Sequence, residues 1–348
     1  MSLHRLFCVV GIVALFTAFA LPAFAQWAPA VEGYGQFRYE YSDNAEDGDF
    51  DVRRMRLSWK DQVNDAGTTA RVQVDVADLL EGEGQEIDPK DLWVSHPFAN
   101  GWSARVGFGD VMFGKDVEFS SSKRLAFERA EATRAFFPGE KCLGAFLTFK
   151  GQDSANVVVD LGFVDGMDAW HRGDFDDASS FVANVEIPFA EGSVAGISYM
   201  TSSIDVAGAA AAQSGTTTME FEPDVFGAHV RYHGTGQMSG LALQAEYFDG
   251  DWYNHKAYSM LDADGWYATL EYTPQDAAVT PFYRYDEFNV SHNIATAQVG
   301  GEDEYVRHTI GVAYEPFANN RLTLQVEDID DMGDEDTTVG LQWQVVYK

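Results

Sequence analysis

The chain has 348 residues, with 55 acidic against 23 basic side chains and a formal net charge of −32. Such a polyanion makes nucleic acid an unfit partner. With only two cysteines, Cys8 near the start and Cys142, there is no disulfide framework, and past the first 25 residues no stretch reaches the ~18 apolar residues of a transmembrane helix.

Residues 1–25, MSLHRLFCVVGIVALFTAFALPAFA, read as a signal peptide. A short basic start (His4, Arg5) leads into an apolar stretch, and Ala23-Phe24-Ala25 is the expected cleavage site before Gln26. Residues 26–348 are then expected to be exported from a bacterial-type cytoplasm. Removing the leader, which carries Arg5 and no acid, makes the remainder one charge more negative.

Nearly every later segment alternates apolar and polar residues with the period of two that marks a β-strand. In chain order the runs lie near 31–41, 50–60, 68–77, 87–96, 102–109, 141–149, 155–164, 179–188, 192–201, 223–233, 239–248, 264–273, 278–286, 304–315, 320–327 and 337–347. The first sets Phe37, Tyr39 and Tyr41 opposite Gln36, Arg38 and Glu40. The third sets Val72, Val74 and Val76 opposite Arg71, Gln73 and Asp75. The fifteenth sets Leu322, Leu324 and Val326 opposite Arg321, Thr323, Gln325 and Glu327.

The connections alternate between short and long. The long ones are 42–49, 78–86, 110–140, 165–178, 202–222, 249–263, 287–303 and 328–336. Three of the short ones repeat Pro-Phe-Ala, at 97–99, 188–190 and 316–318, each followed within two residues by Asn or Gly. Proline ends a strand and Asn or Gly accepts a left-handed turn, so the motif reads as a tight turn with Phe anchored at a membrane interface. A β-sandwich also alternates, but it would not sort its connections so regularly, nor leave one inner face so polar. The expected fold is all-β: a transmembrane antiparallel up-and-down barrel of sixteen strands over 26–348, with 110–140 inserted as a long constriction loop. An even strand number puts both termini on the periplasmic side.

The insert DVMFGKDVEFSSSKRLAFERAEATRAFFPGE carries Lys115, Lys123, Arg124, Arg129 and Arg134 among six acids, and its 120–137 stretch has weak helical spacing. A charged loop inside a barrel sets size and charge selectivity at close quarters. Alternation turns Met55, Leu57 and Trp59 to lipid, and so turns Arg54, Arg56, Ser58 and Lys60 to the lumen. Arg38, Arg71 and Arg105 join them as a basic wall, while the inward acids Asp160, Glu186, Glu246, Glu271 and Glu327 fall on later strands. Rows of guanidinium groups offer forked donors to a passing carboxylate or phosphate. The alternative role is structural, with each inward arginine bracing an inward acid. The seven other long connections hold 28 acids against Arg172 and Lys256; outside the membrane, divalent cations would bridge them to lipopolysaccharide, or they would simply keep the surface solvated.

The stretches FDVRRMRLSWKDQV and WSARVGFGDVMFGKDVEFSSSKRLAFERAEATRAFFPGEKCLGAFLTFKG resemble the phosphate-selective outer-membrane porins of the O and P type. The carrying residues are Arg53, Arg54 and Arg56, then Val106, Gly107, Phe113 and Gly114, then Ser120, Ser121, Leu125, Phe127, Glu128 and Arg129. The resemblance is specific over about 50–150. It implies a trimeric sixteen-stranded porin whose third long loop enters the channel, with arginines and lysines guiding anions. No HExxH, GxSxG, CxxC or phosphate-loop motif points to an enzyme or a cofactor. The expected function is passive diffusion of small hydrophilic solutes with a weak anion or phosphate preference. An unselective or cation-selective general porin, an outer-membrane barrel enzyme, and a structural or adhesive barrel are the alternatives.

Overall fold

The computed structural model describes residues 31–81, 87–152, 156–165, 175–207, 218–254, 259–275, 277–291 and 302–347. The expected signal peptide lies outside the described residues. The strands are β1 (Val31–Ser42), β2 (Asp47–Gln62), β3 (Thr69–Asp75), β4 (Asp88–Pro97), β5 (Trp102–Asp110), β6 (Lys141–Lys150), β7 (Val158–Val164), β8 (Phe175–Ala190), β9 (Ser193–Ala207), β10 (Thr218–Phe221), β11 (Asp224–His233), β12 (Leu241–Asn254), β13 (Ser259–Tyr272), β14 (Val279–Ser291), β15 (Glu302–Phe317), β16 (Asn320–Asp331) and β17 (Asp334–Tyr347). Two short helices are α1 (Asp78–Glu81) and α2 (Glu131–Phe136).

All strands belong to one antiparallel sheet. Strand β1 pairs with β17 from Gly33↔Tyr347 to Ser42↔Thr338, which closes the sheet into a barrel. Both β10 and β11 pair with β9 and form one barrel strand in two pieces. They part at Glu222-Pro223, where proline has no N–H for the ladder. The closed barrel therefore has sixteen strands, as the alternating runs predict.

Burial is inverted relative to a soluble protein. Along β16, Arg321, Thr323, Gln325 and Glu327 are buried while Leu322, Leu324 and Val326 are exposed. Polar residues face inward and an apolar surface faces outward, the arrangement that suits hydrocarbon outside and water or polar contacts inside. Each Pro-Phe-Ala site is a tight turn at one end. Asn100, Gly101, Gly192 and Asn319 have φ of 61°, 82°, 68° and 67°, and Phe98, Phe189 and Phe317 are 53 to 69 % exposed.

The long connections are shorter than alternation suggests, because the strands run on through them. The 42–49 segment reduces to a turn at 43–46, β12 and β13 pair up to Asn254↔Ser259, and β16 and β17 pair up to Asp331↔Asp334 around Met332 and Gly333. These extensions are rich in acids on both faces. The hydrophobic period disappears there although the backbone ladder continues, so hydropathy alone ends the strands too early.

Candidate functional site

Among the described connections, the segment between β5 and β6 is the long one. It packs against inward-facing residues on widely separated strands. On one side Val111, Phe113, Val117, Ala130, Ala132, Phe136 and Phe137 form a cluster with Phe146, Met200, Ile204, Val225, Phe248, Tyr267 and Phe288. On that side the wall is apolar, so the evenly polar inner face expected from alternation is interrupted there. The helical spacing expected across 120–137 yields only the six residues of α2; Ser120–Ala130 form irregular turns that follow the wall.

Backbone groups fix both ends. The N–H of Gly114 donates to Ser198 Oγ (3.0 Å), and the N–H groups of Lys115 and Asp116 donate to the Glu246 carboxylate (3.1 and 3.0 Å). Gly114 has φ +61°, and a Cβ there would collide with Glu246 Oε1. On β1, Tyr34 Oη and Ser121 Oγ are 2.6 Å apart. Arg321 Nη2 and Gln344 Nε2 donate to the Ser122 carbonyl (3.1 and 2.8 Å). Phe127 N–H donates to Gln325 Oε1 (3.1 Å), and its ring lies over Gly340, where a Cβ would strike it. The segment thus crosses from β9 and β12 to β1, β16 and β17.

Near the middle of this crossing, one carboxylate holds three guanidinium groups. Glu128 Oε1 accepts from Arg38 Nη2 and Arg53 Nε (both 2.8 Å), and Oε2 accepts from Arg54 Nη2 (2.9 Å). Burial pushes the Glu128 carboxyl up, yet Arg54, Arg53 and Arg38 outweigh it and hold it well below the usual range. Arg38 Nη1 also lies 3.8 Å from Glu40, so three guanidinium groups face two carboxylates. Alternation assigns Arg54 to the lumen but not Arg53. A register shift between Gln36 and Arg38 inserts an extra residue on β2, so neighbouring arginines both reach Glu128. The Arg-Arg doublet was the only sequence sign of it.

The other expected site residues divide into three groups. Arg56 pairs with Asp75 (3.0 Å) and Arg71 with Asp91 (2.6 Å), both on the wall. Arg105 donates to the Asp110 carbonyl (2.6 Å) and lies over the Phe146 ring (4.6 Å). Within the loop, Lys115 pairs with Glu186 and with Glu118 (3.4 Å). Arg129 donates to the carbonyls of Asp116, Val117 and Phe119 and pairs with Glu140, so it ties the loop to itself. Arg134 is half exposed on α2 and pairs with Glu131 (3.0 Å). Lys123 is exposed.

Arg124 differs from all of these. It is buried, and none of its three guanidinium nitrogens makes a hydrogen bond. Burial and the adjacent charges of Arg129 and Arg54 push its pKa down. Glu118 is shifted the other way: burial first, then Glu186 and Asp160, push its carboxyl up to about 7 against the pull of Lys115.

Sequence reasoning missed a second cluster on the late strands. Arg307 donates to both oxygens of Asp286 (3.0 and 3.2 Å), and Arg284 Nε lies 3.0 Å from Asp286. Both also hold the loop: Arg284 donates to the Glu128 carbonyl (2.6 Å) and Arg307 to the Arg129 carbonyl (2.8 Å). Alternation within β14 and β15 is the signal that turns these arginines inward.

Residues 32–166 match the family described as phosphate-selective porin O and P. No curated protein matches the sequence. Among solved structures, the barrel is similar to the outer membrane channel DcaP of Acinetobacter baumannii, with a TM-score of 0.66 at 11% identity over 91% of this chain and 96% of that one. It is similar to OmpT, an outer membrane protein of Vibrio cholerae, solved in a trimer form (TM-score 0.63, 13% identity, 92% of this chain and 100% of that one). A mutant of the Rh. blastica porin gives 0.53 at 14% identity over 92% and 100%. At these identities the likeness is one of fold, and it agrees with the family match in supporting an outer-membrane channel.

Proposed function

We propose that this chain, a porin-type barrel whose residues 32–166 carry the phosphate-selective porin O and P signature, is a passive channel for small hydrophilic solutes with a weak preference for anions. The observation that carries the preference is the excess of guanidinium groups beside the loop: three on the single carboxylate of Glu128, with the hydrogen-bond-free Arg124 close by. Forked donors without a full complement of acceptors suit a carboxylate or phosphate in transit. Glu128 and Glu40 together leave four guanidinium groups against two carboxylates.

In this reading the segment 110–140 narrows the lumen. Arg38, Arg53, Arg54 and Arg124 set the field, Arg56, Arg71 and Arg129 brace wall and loop, and Lys123 and Arg134 lie along the path. The leader 1–25 exports the chain, residues 26–348 form the channel domain, and the acidic outer ends contact lipopolysaccharide through divalent cations. The assembly is a homotrimer, a reading supported by the trimer form of the OmpT fold relative. Cross-linking in mild detergent that gives only monomer would overturn it. The competing reading is a cation-preferring general porin, favoured by the acids at the outer turns. Reversal potentials in a KCl gradient decide: the wild type shifts to the anion side, and R53A with R124A shifts back toward cations. A wild-type potential on the cation side favours the general porin.

A further inference from the structure

Trp93 faces the lumen without joining the apolar cluster that the segment 110–140 makes with the wall. Its neighbours on β4, Leu92 and Val94, are exposed on the outer surface, so alternation turns the indole inward, where it stays half-buried. The ring sits against β5. A Cβ on Gly109 would come within 3.1 Å of its Cδ1 and 3.6 Å of its Nε1. A larger residue at 109 would push the indole off the wall, so the glycine seats it there.

Two cations stand beside it in register. Lys60 on β2 pairs with Arg71 on β3, and Arg71 pairs with Trp93 on β4. The three side chains therefore form one inward row, with neighbours about 5 Å apart across the sheet. Lys60 is exposed and lies over the indole, 5.7 Å from the ring centroid; among the described residues it makes no salt bridge. Arg71 offers only Nε to Asp91 (2.6 Å) and keeps 30 % of its side chain exposed. Among the described residues neither of its Nη groups is hydrogen-bonded. Asp91 is shared with Lys141 (3.3 Å), which also holds Asp110 (2.6 Å). Glu32, Asp61 and Asp65 belong to the same end of the barrel, but among the described residues none of them forms an ion pair with Lys60 or Arg71.

We infer that Lys60, Arg71 and Trp93 form a subsite for organic anions whose carboxylate is carried on a flat ring, the arenecarboxylates. The inference rests on the channel reading and gives it a solute class. Adjacent cationic donors on Lys60 and Arg71 match the two oxygens of one carboxylate, while the ligand's ring lies on the indole in an offset stack. Lys60 is exposed on a flexible four-carbon stem, so its ammonium lifts from the indole to meet the carboxylate as the ring slides on. Acetate or inorganic phosphate uses the same donors but gains nothing from the indole. The subsite is separate from the Glu128 cluster, since Lys60 follows Arg54 by six residues along β2, about 20 Å.

The test is block of the single-channel KCl current by benzoate compared with acetate, each added to the same side at the same pH. In the wild type benzoate should bind about fivefold more tightly than acetate. W93L should bring benzoate down to the acetate value without changing block by acetate, and W93F should keep most of the preference. K60Q with R71Q should weaken block by both carboxylates. The wild-type comparison needs no variant, so a poorly folding variant leaves the test intact. Equal block by benzoate and acetate, or a benzoate preference that survives W93L, overturns the subsite and leaves the channel standing. No conductance at all removes the channel reading and this inference with it.

Discussion

Two arginine clusters flank the same stretch of loop, 127–131, and they divide the work. On β14–β16, Arg284 and Arg307 face Asp286 and Glu327, two charges against two, all buried. On β1–β2, Arg38, Arg53 and Arg54 converge on Glu128, and Glu40 adds only a longer contact to Arg38 (3.8 Å), three charges against two. The first cluster is neutral and extends to loop carbonyls, so its energy is spent on holding position. The second is overcharged, and Arg53 keeps 41 % of its side chain exposed, so part of its field reaches the water path. One residue type serves as a brace where it is matched and as a source of field where it is not.

The comparison breaks most decisively at Arg307. R307A leaves Asp286 buried with one partner fewer and frees the Arg129 carbonyl. It should cost about 3 kcal/mol or more, read as a lower urea midpoint of the folded barrel, with noisier open-channel current as the loop loosens. E128Q should act oppositely, leaving the three guanidinium groups with only the longer Glu40 contact. The shift toward anions should be about 1 kcal/mol, roughly fivefold in the permeability ratio. R53A should move the ratio toward cations by a smaller factor and leave the urea midpoint unchanged, since its partner keeps Arg38 and Arg54. An altered midpoint would place Arg53 with the braces.

Acidification offers a smaller and reversible test. Glu118 titrates at about 7 in the folded chain, so its charge is lost from the lumen as pH falls from 8 to 6, and the anion preference should rise. E118Q should abolish that rise. The sign for stability is the reverse of a salt-bridged acid. Between the ordinary 4.5 and about 7 the folded chain binds this proton more tightly than the unfolded chain, so the group's contribution shrinks as pH rises through that window.

The barrel was legible because strand alternation is a long-range, repeated signal. Sixteen runs and three Pro-Phe-Ala turns agree with one another, and the inserted segment stood out by length. The strand ends were not legible, since acids on both faces of β16 and β17 erase the hydrophobic period without disturbing the ladder. Arg38, Arg54, Arg56, Arg71 and Arg105 could be turned inward from sequence, but their partners could not, because Glu128 meets the wall only once the segment between β5 and β6 has packed against it. Arg53 was hidden by a single inserted residue, which parity arguments cannot detect. Gly340 in the middle of a strand was a readable hint that something would press against the wall there.

The seam between β1 and β17 joins residues about 300 positions apart, from Gly33↔Tyr347 to Ser42↔Thr338. A chain that has made all its other hairpins still has two open edges and an outward apolar row on every strand. No partial assembly satisfies the ladder, so the last pairing is also the one that closes the longest loop. Protection from self-association cannot come from the protein's own intermediates. It has to come from whatever escorts the unclosed chain until lipid covers its outer face and the final strand docks on the first.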